Sequence, residues 1–509
     1  MDEATSNVFK IAKGASIIFL SGIISSFLGF LVRWLIIKNY SVEDYGVFSI
    51  AISIIGIFSV VFMLGLGQGI PRQIGFYLGQ NKKEHARGVF YSSLKIIFPV
   101  AIFSSIVFYF LIPYLSQFFN EPKLLVFLPP LVFYLFFSFF AITFVSFLRG
   151  YNYSFPHALR SVIEKGIIFI LLIFLVFFNL SFEYIAWIWS FSLFFFLVFI
   201  LIKYFKHFKG IISGNCFLST KKLFVFSLPL LLLGLTTLVI VYTDTIMLGM
   251  YLPTNIVGIY SAAAPLARFI PILLGAAAWL YLPITSKLWA QNRKKDLKKI
   301  YATITKWIVS LTLPLFLVLF LFPSIVLKFL FGAEYISAAS VLSILSIGFF
   351  FHTLMGPNDV GLIAIGENKS VAILRGIAAL LNLFLNFLLI PYLGMVGAAV
   401  ASTSSWILSN LLISIQLYRR TKIHPFSIDL VKPLIISTII IGIIYIIAKQ
   451  FTFSGIGLGI LGIIFLGVYS FVVLLTKSFN KEDLELLLLL ENKVGFNLTF
   501  FKRIIRKFI

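Results

Sequence analysis

From residue 14 to residue 476 the sequence is a succession of apolar stretches, each near the length of a bilayer-crossing helix, with most of its Lys and Arg in short intervals between them. A backbone in hydrocarbon has no water to bond to and closes its hydrogen bonds as helix, over roughly 20 residues per crossing. The stretches fall at about 14–38, 46–66, 89–112, 124–148, 162–180 and 184–204, and then at 223–249, 256–286, 302–322, 336–366, 370–390, 394–417, 433–449 and 455–476. The expected fold class is therefore an all-α integral membrane protein of about fourteen transmembrane helices. Composition agrees: 60% of 509 residues are hydrophobic and 12% charged, more apolar material than a soluble core of this length can bury.

The formal charge of +23 would suit a nucleic-acid partner if the cations clustered on one soluble face. They alternate between loops instead. Basic intervals carry Arg72, Lys82, Lys83 and Arg87, then Arg149, Arg160 and Lys165, then Lys203 to Lys222. Further ones carry Lys287 to Lys299, Lys369 and Arg375, and Arg419 to Lys432. The others hold Glu43, Asp44, Glu121, Lys123, Glu183, Lys328, Glu334 and Lys449. By the positive-inside rule both termini face the cytoplasm of a multi-pass plasma-membrane protein. The N-terminus lacks the pattern of a removable signal peptide, so the first span is expected to direct insertion. The single cysteine, Cys216, permits no intrachain disulfide and no thiolate cluster. Beyond the last span, Phe500 to Ile509 alternate apolar and basic pairs, as in a helix lying on the inner leaflet rather than a partner-binding helix.

An internal repeat organises the chain. Tyr40 to Ala51 reads YSVEDYGVFSIA, and Tyr251 to Ala263 reads YLPTNIVGIYSAA with one residue inserted; the same offset carries Gln80-Asn81-Lys82-Lys83 onto Gln291-Asn292-Arg293-Lys294. Six spans separate the copies, so the repeats run parallel. Two six-helix lobes are expected around a central cavity: 1–209 with helices one to six, and 223–417 with helices seven to twelve. A basic cytoplasmic linker at 210–222 joins them. Helices thirteen and fourteen at 418–476 and an amphipathic basic tail at 477–509 follow.

Ionisable residues inside spans are the functional candidates. Arg33, in GFLVRWLII, either snorkels or pairs to fix helix packing, or binds an anion; the fork of guanidinium donors fits phosphate oxygens, and we favour that reading. Arg268 is a second such cation, bracketed by Pro265 and Pro271, which should kink its helix. Asp244, the repeat equivalent of Arg33, either neutralises an arginine or takes and releases a proton or sodium ion. Asp359, in Gly356-Pro357-Asn358-Asp359, is a second coupling-ion candidate or a cap in a broken helix. His352 is expected to be packed or hydrogen-bonded, and Asn382 with Asn386 to bond between helices. Gly361 to Gly366 lacks the Lys and Ser or Thr of a P-loop, and no metal, hydrolase or nucleophile motif occurs. No cofactor or catalytic residue is expected, and energy must come from an ion gradient, membrane potential or consumption of the product.

Four segments carry a family resemblance: FLVRWLIIKNYSVEDYGVFSIA at Phe30 to Ala51, DTIMLGMYLPTNIVGIYSAAAPL at Asp244 to Leu266, FGAEYISAASVLSILSIG at Phe331 to Gly348 and LNLFLNFLLIPYLGMVGAAVAS at Leu381 to Ser402. In order and spacing the chain resembles the polysaccharide-export branch of the multidrug, oligosaccharidyl-lipid and polysaccharide transporter superfamily, the Wzx-type flippases. The resemblance implies two lobes opening alternately to either side, and a polyprenyl-(pyro)phosphate-linked oligosaccharide as substrate. It implies that Arg33 and Arg268 hold the phosphate and sugar head, with helices thirteen and fourteen flanking a groove for the lipid tail. Glycan polymerase or glycosyltransferase partners would act beside it. A cation-coupled drug extruder of the same superfamily is the alternative, although such proteins usually have twelve spans and acidic cavities. A membrane glycosyltransferase or polymerase is disfavoured, because each outer loop here is short.

Overall fold

The computed structural model describes residues 3–426, apart from residues 152, 154, 213, 215, 218 and 219, together with Gly442, Gly467 and Tyr469. The segments expected at 433–449 and 455–476, and the tail, lie outside the described residues. Sixteen α-helices run in order: α1 (Glu3–Asn39), α2 (Val42–Phe62), α3 (Leu66–Gly79), α4 (Lys83–Phe118), α5 (Leu124–Gly150), α6 (Phe155–Phe177), α7 (Tyr184–Ile212), α8 (Thr220–Tyr251), α9 (Thr254–Ala267), α10 (Ile272–Ala290), α11 (Lys294–Leu321), α12 (Pro323–Leu330), α13 (Ala339–Leu354), α14 (Asn358–Ala364), α15 (Asn368–Leu393) and α16 (Met395–Thr421). All twelve spans expected up to residue 417 fall on these helices. Among the described residues nine helical segments are long and apolar enough to cross a membrane, and α8, bent by 50° between Thr236 and Leu238, makes a tenth. α6 carries Arg160, Glu164 and Lys165, and α9 and α10 are separated by a turn at 268–271. Large apolar side chains such as Phe110 (67% exposed) and Leu380 (68%) face outward, which suits lipid and not water.

The chain forms two compact units: Ile17–Ala262 with Asn386–Met395, and Met1–Ser16 with Ala263–Leu385 and Val396–Ile509. α8, the first helix of the second repeat, belongs with α2, α3 and α4, on which it packs. In the other unit α10 packs on α11 and α14, and α11 on α13, around a core that includes Tyr281, Tyr301, Leu362 and Leu417.

Residues 66–79, which the sequence reading leaves as part of a basic loop, are helix α3. Leu66, Ile70, Ile74 and Tyr77 recur at helical spacing and are buried, while Arg72 and Phe76 on the other faces are exposed. The chain enters α3 through a reversal at Leu64 and Gly65, both with positive φ.

Loops expected on one side of the bilayer come together within the first unit. Lys123 Nζ pairs with Glu43 at 3.1 Å and Asp44 at 2.7 Å. Tyr40 Oη donates to the Leu180 carbonyl at 3.2 Å, and Thr254 Oγ1 donates to the buried Glu121 carboxylate. At this end the two copies of the repeat dock on each other through equivalent residues. A Cβ at Gly46 would overlap the Thr254 carbonyl oxygen, and a Cβ at Gly258 would overlap that of Val42. Val42 and Thr254 each stand four residues before their glycine, so the contact is reciprocal, and α2 and α9 cross at backbone distance because neither copy carries a side chain there.

Candidate functional site

Asp244 sits on α8 and is 6% exposed. Its Oδ2 accepts a hydrogen bond of 2.6 Å from Tyr260 Oη on α9, and its Oδ1 one of 2.9 Å from Asn386 Nδ2 on α15. Asn386 is fully buried, and Asn382, one turn earlier, donates to Ser402 Oγ at 3.2 Å. The asparagines thus bond between helices, as their spacing predicts. A carboxylate buried among apolar helices is costly unless its oxygens are satisfied. Tyr260 and Asn386 each satisfy one of them with a neutral donor.

Arg33 lies on α1 with its side chain exposed, and its charge acts on Tyr45 and on Lys165 of α6. Lys165 reaches into the same region: its Nζ donates to the Ser25 carbonyl on α1 at 3.0 Å and rests against Gly29. Sequence reading assigns Lys165 to a cytoplasmic loop, but it stands ten residues into α6. The residues after it are apolar, so the basic interval looks as if it ends there, yet the helix has already begun at Phe155. Beside it Glu164 accepts from Tyr134 Oη at 3.2 Å and faces Arg160 at 3.8 Å. Lys165 thus reaches α1 one turn from Arg33, while Glu164 is engaged by α5 and by its own helix.

Arg268 is exposed in the turn between α9 and α10. Pro265 and Pro271 flank this turn, so the expected kink is a full break. Arg268 and Asp359 belong to the second unit, Arg33 and Asp244 to the first. Asp359 lies in the first turn of α14, after the break at Gly356, whose φ is +66°. Its Oδ1 accepts from the Val360 amide at 2.7 Å, and its Oδ2 is bound by Arg375 of α15. The break is packed rather than open. Asn358 is fully buried and donates to Ser414 Oγ at 2.8 Å, and Tyr301 Oη donates to the Met355 carbonyl. His352 shares a 2.8 Å hydrogen bond with Asn410 and lies 5.0 Å from the Trp406 ring, packed and bonded as expected.

Tyr260, Arg375 and Lys165 were not among the residues singled out from sequence. For Tyr260 the repeat held a signal: Gly258-Ile259-Tyr260-Ser261 aligns with Gly46-Val47-Phe48-Ser49. The hydroxyl occurs only in the copy that carries Asp244 in place of Arg33.

Apolar helices throughout, broken spans and paired ionisable groups within them define a multi-pass membrane protein of the transporter class. The model of the polysaccharide biosynthesis protein family matches residues 11–289, more than half of the chain, and the chain belongs to that family. The MatE family model matches residues 229–388. An uncharacterised membrane protein of Methanocaldococcus jannaschii is 26% identical over 92% of this chain and 98% of its own length. A putative O-antigen transporter of Shigella flexneri is 27% identical over 40% of this chain and 48% of its own length. A probable low-salt glycan biosynthesis flippase of Haloferax volcanii is 27% identical over 34% and 36%. The chain thus spans about half or less of these two relatives. Its fold is that of the lipid II flippase MurJ in an inward closed conformation, with a TM-score of 0.69 at 19% identity over 89% of this chain and 97% of that one. An inward-facing multidrug resistance MATE family transporter gives a TM-score of 0.63 at 15% identity, over 80% and 98%.

Proposed function

We propose that the protein is a flippase that moves an oligosaccharide, linked through phosphate or pyrophosphate to a long polyprenol, across the cytoplasmic membrane for surface-glycan assembly. Family membership and the names of the two partial relatives support the glycan cargo. The observation that carries the reading is Lys165 of α6 reaching α1 at Ser25 and Gly29, one turn from Arg33: two cations brought near each other within the spans are relieved by an anion. Phosphate oxygens bind Arg33 and Lys165, and the polyprenyl tail stays in the bilayer; Arg268, in the second unit, is a separate candidate for a phosphate or sugar contact. Asp244 takes up a proton or sodium ion on one side and releases it on the other, while Asp359 is retained by Arg375. Transport proceeds by alternating access with both termini cytoplasmic, and a glycan polymerase or glycosyltransferase uses the delivered product.

The test is reconstitution in liposomes carrying a polyprenyl-pyrophosphate oligosaccharide on the inner leaflet, with exposure followed by an external lectin. Wild-type protein exposes the glycan and Arg33→Ala does not. The MatE match over residues 229–388 supports a second reading, cation-coupled drug extrusion. No exposure by the wild type under imposed proton or sodium gradients, together with gradient-driven efflux of a cationic dye, selects it.

A further inference from the structure

A pocket of about 1120 Å³ opens at the end of the first unit expected to face the cytoplasm, between α3, the start of α4, and the start of α8 with the segment before it. Its polar wall carries Arg72, Lys82, Lys221 and Lys222, with His85, and among the described residues no Asp or Glu lines it. Its apolar wall is aromatic. The Arg72 guanidinium lies 4.9 Å from the centre of the Phe226 ring, and the His85 ring stacks on Phe217 at 5.0 Å. The pocket is built by specific docking. The Phe217 amide donates to the Glu84 carbonyl at 3.3 Å, so Phe217, which lines the pocket, is tied to the first turn of α4.

Four cations without a lining carboxylate repel one another and are relieved by an anion. Exposed aromatic and aliphatic side chains beside them, Phe76 and Val225 among others, bind a chain rather than a bare ion. We propose that this pocket is a binding site for the phosphate or pyrophosphate head of an amphiphile in the inner leaflet. The cations take the phosphate oxygens, and the aromatic wall takes the first carbons of the tail. Its role as the site that captures cargo before translocation rests on the flippase reading; the binding itself does not. Arg33, Lys165 and Asp244 are not part of it.

Cys216, the chain's only cysteine, is exposed next to Phe217 and provides one labelling position at the pocket. The purified full chain, carrying a solvatochromic maleimide on Cys216, is titrated in neutral detergent with farnesyl pyrophosphate, dioctanoyl phosphatidylglycerol, inorganic pyrophosphate and farnesol. The expected result is saturable binding of farnesyl pyrophosphate, weakened by salt, with inorganic pyrophosphate much weaker and farnesol silent. Arg72→Gln/Lys221→Gln/Lys222→Gln, all at exposed positions, lowers that affinity about tenfold or more. Lys221→Arg/Lys222→Arg retains it, and Lys328→Gln, at an exposed position outside the pocket, leaves it unchanged. Phosphatidylglycerol binding as tightly, and equally lost in the glutamine variant, supports the site and makes a phospholipid its occupant. Equal affinity of inorganic pyrophosphate and farnesyl pyrophosphate overturns the amphiphile, and affinity unchanged in the glutamine variant overturns the site. A wild type that binds in this assay yet never translocates glycan in liposomes sinks the flippase reading and leaves the pocket standing.

Discussion

Valine at Gly46 or Gly258 tests whether the reciprocal crossing of α2 and α9 holds the first unit together at that end. At each position the added Cβ falls on a carbonyl oxygen of the opposite helix, Thr254 for Gly46 and Val42 for Gly258. A backbone atom cannot swing aside as a side-chain tip can, so the two helices must separate. Overpacking of this kind costs about 1–3 kcal/mol, and about 2 kcal/mol is expected for each single variant. Both clashes are relieved by the same separation, so the double variant should cost about as much as one single variant, a coupling on the order of 2 kcal/mol. Gly166→Ala, where an added Cβ meets nothing within 4 Å, serves as the control and should be tolerated. Unfolding by sodium dodecyl sulfate in mixed micelles, followed by tryptophan fluorescence, measures the four variants beside the wild type. Wild-type stability in either valine variant, or full additivity in the double, would refute the reasoning.

Three further outcomes are expected. Tyr260→Phe removes one of two neutral donors to Asp244, and a double-mutant cycle with Asp244→Asn should return a coupling of about 1–2 kcal/mol in the same unfolding assay; coupling near zero would mean the 2.6 Å bond contributes nothing. Arg375→Gln and Asp359→Asn should each lower stability by about 1 kcal/mol, because the pair is partly exposed. Asp359→Ala should lose about a further 1 kcal/mol by leaving the Val360 amide without its acceptor, so equal stability of the Asn and Ala variants would remove the capping role. Lys165→Gln should reduce glycan exposure in liposomes at least about tenfold without loss of folded protein in detergent, and full transport by that variant would exclude it from the anion site.

How much of this was legible in the sequence divides along physical lines. Span positions were readable because apolar length reports directly on the bilayer, and all twelve expected within the described residues fall on helices. α3 was hidden by its own amphipathicity. Gln68, Gln73 and Arg72 lower its average below that of the spans, and the spacing of Leu66, Ile70, Ile74 and Tyr77 reveals the buried face. Asp244 and Arg33 stood out because a charge inside an apolar run is anomalous on its face. Their neighbours did not, since a tyrosine, an asparagine or a lysine near a basic interval is unremarkable until the fold sets it beside a charge.

Lys165 shows how counting cations by interval passes over a residue that stands within a helix. The rule counts cations by interval and credits each one to the loop nearest to it. A lysine within a span but close to a basic interval is therefore absorbed into the count whether or not it lies in water. The repeat gives the independent test that interval counting lacks. Where the first copy places Arg33 the second places Asp244, and where the second places Tyr260 the first places Phe48. The donor that satisfies the carboxylate has been lost, or never acquired, beside the arginine. A guanidinium requires acceptors instead, and Glu164 of α6 is engaged by Tyr134 and Arg160. Two equivalent positions of one duplicated frame thus carry opposite chemistry, one suited to a cation and the other to an anion. If a coupling ion and a phosphate head are both carried, an asymmetry of this kind is what a parallel duplication has to evolve.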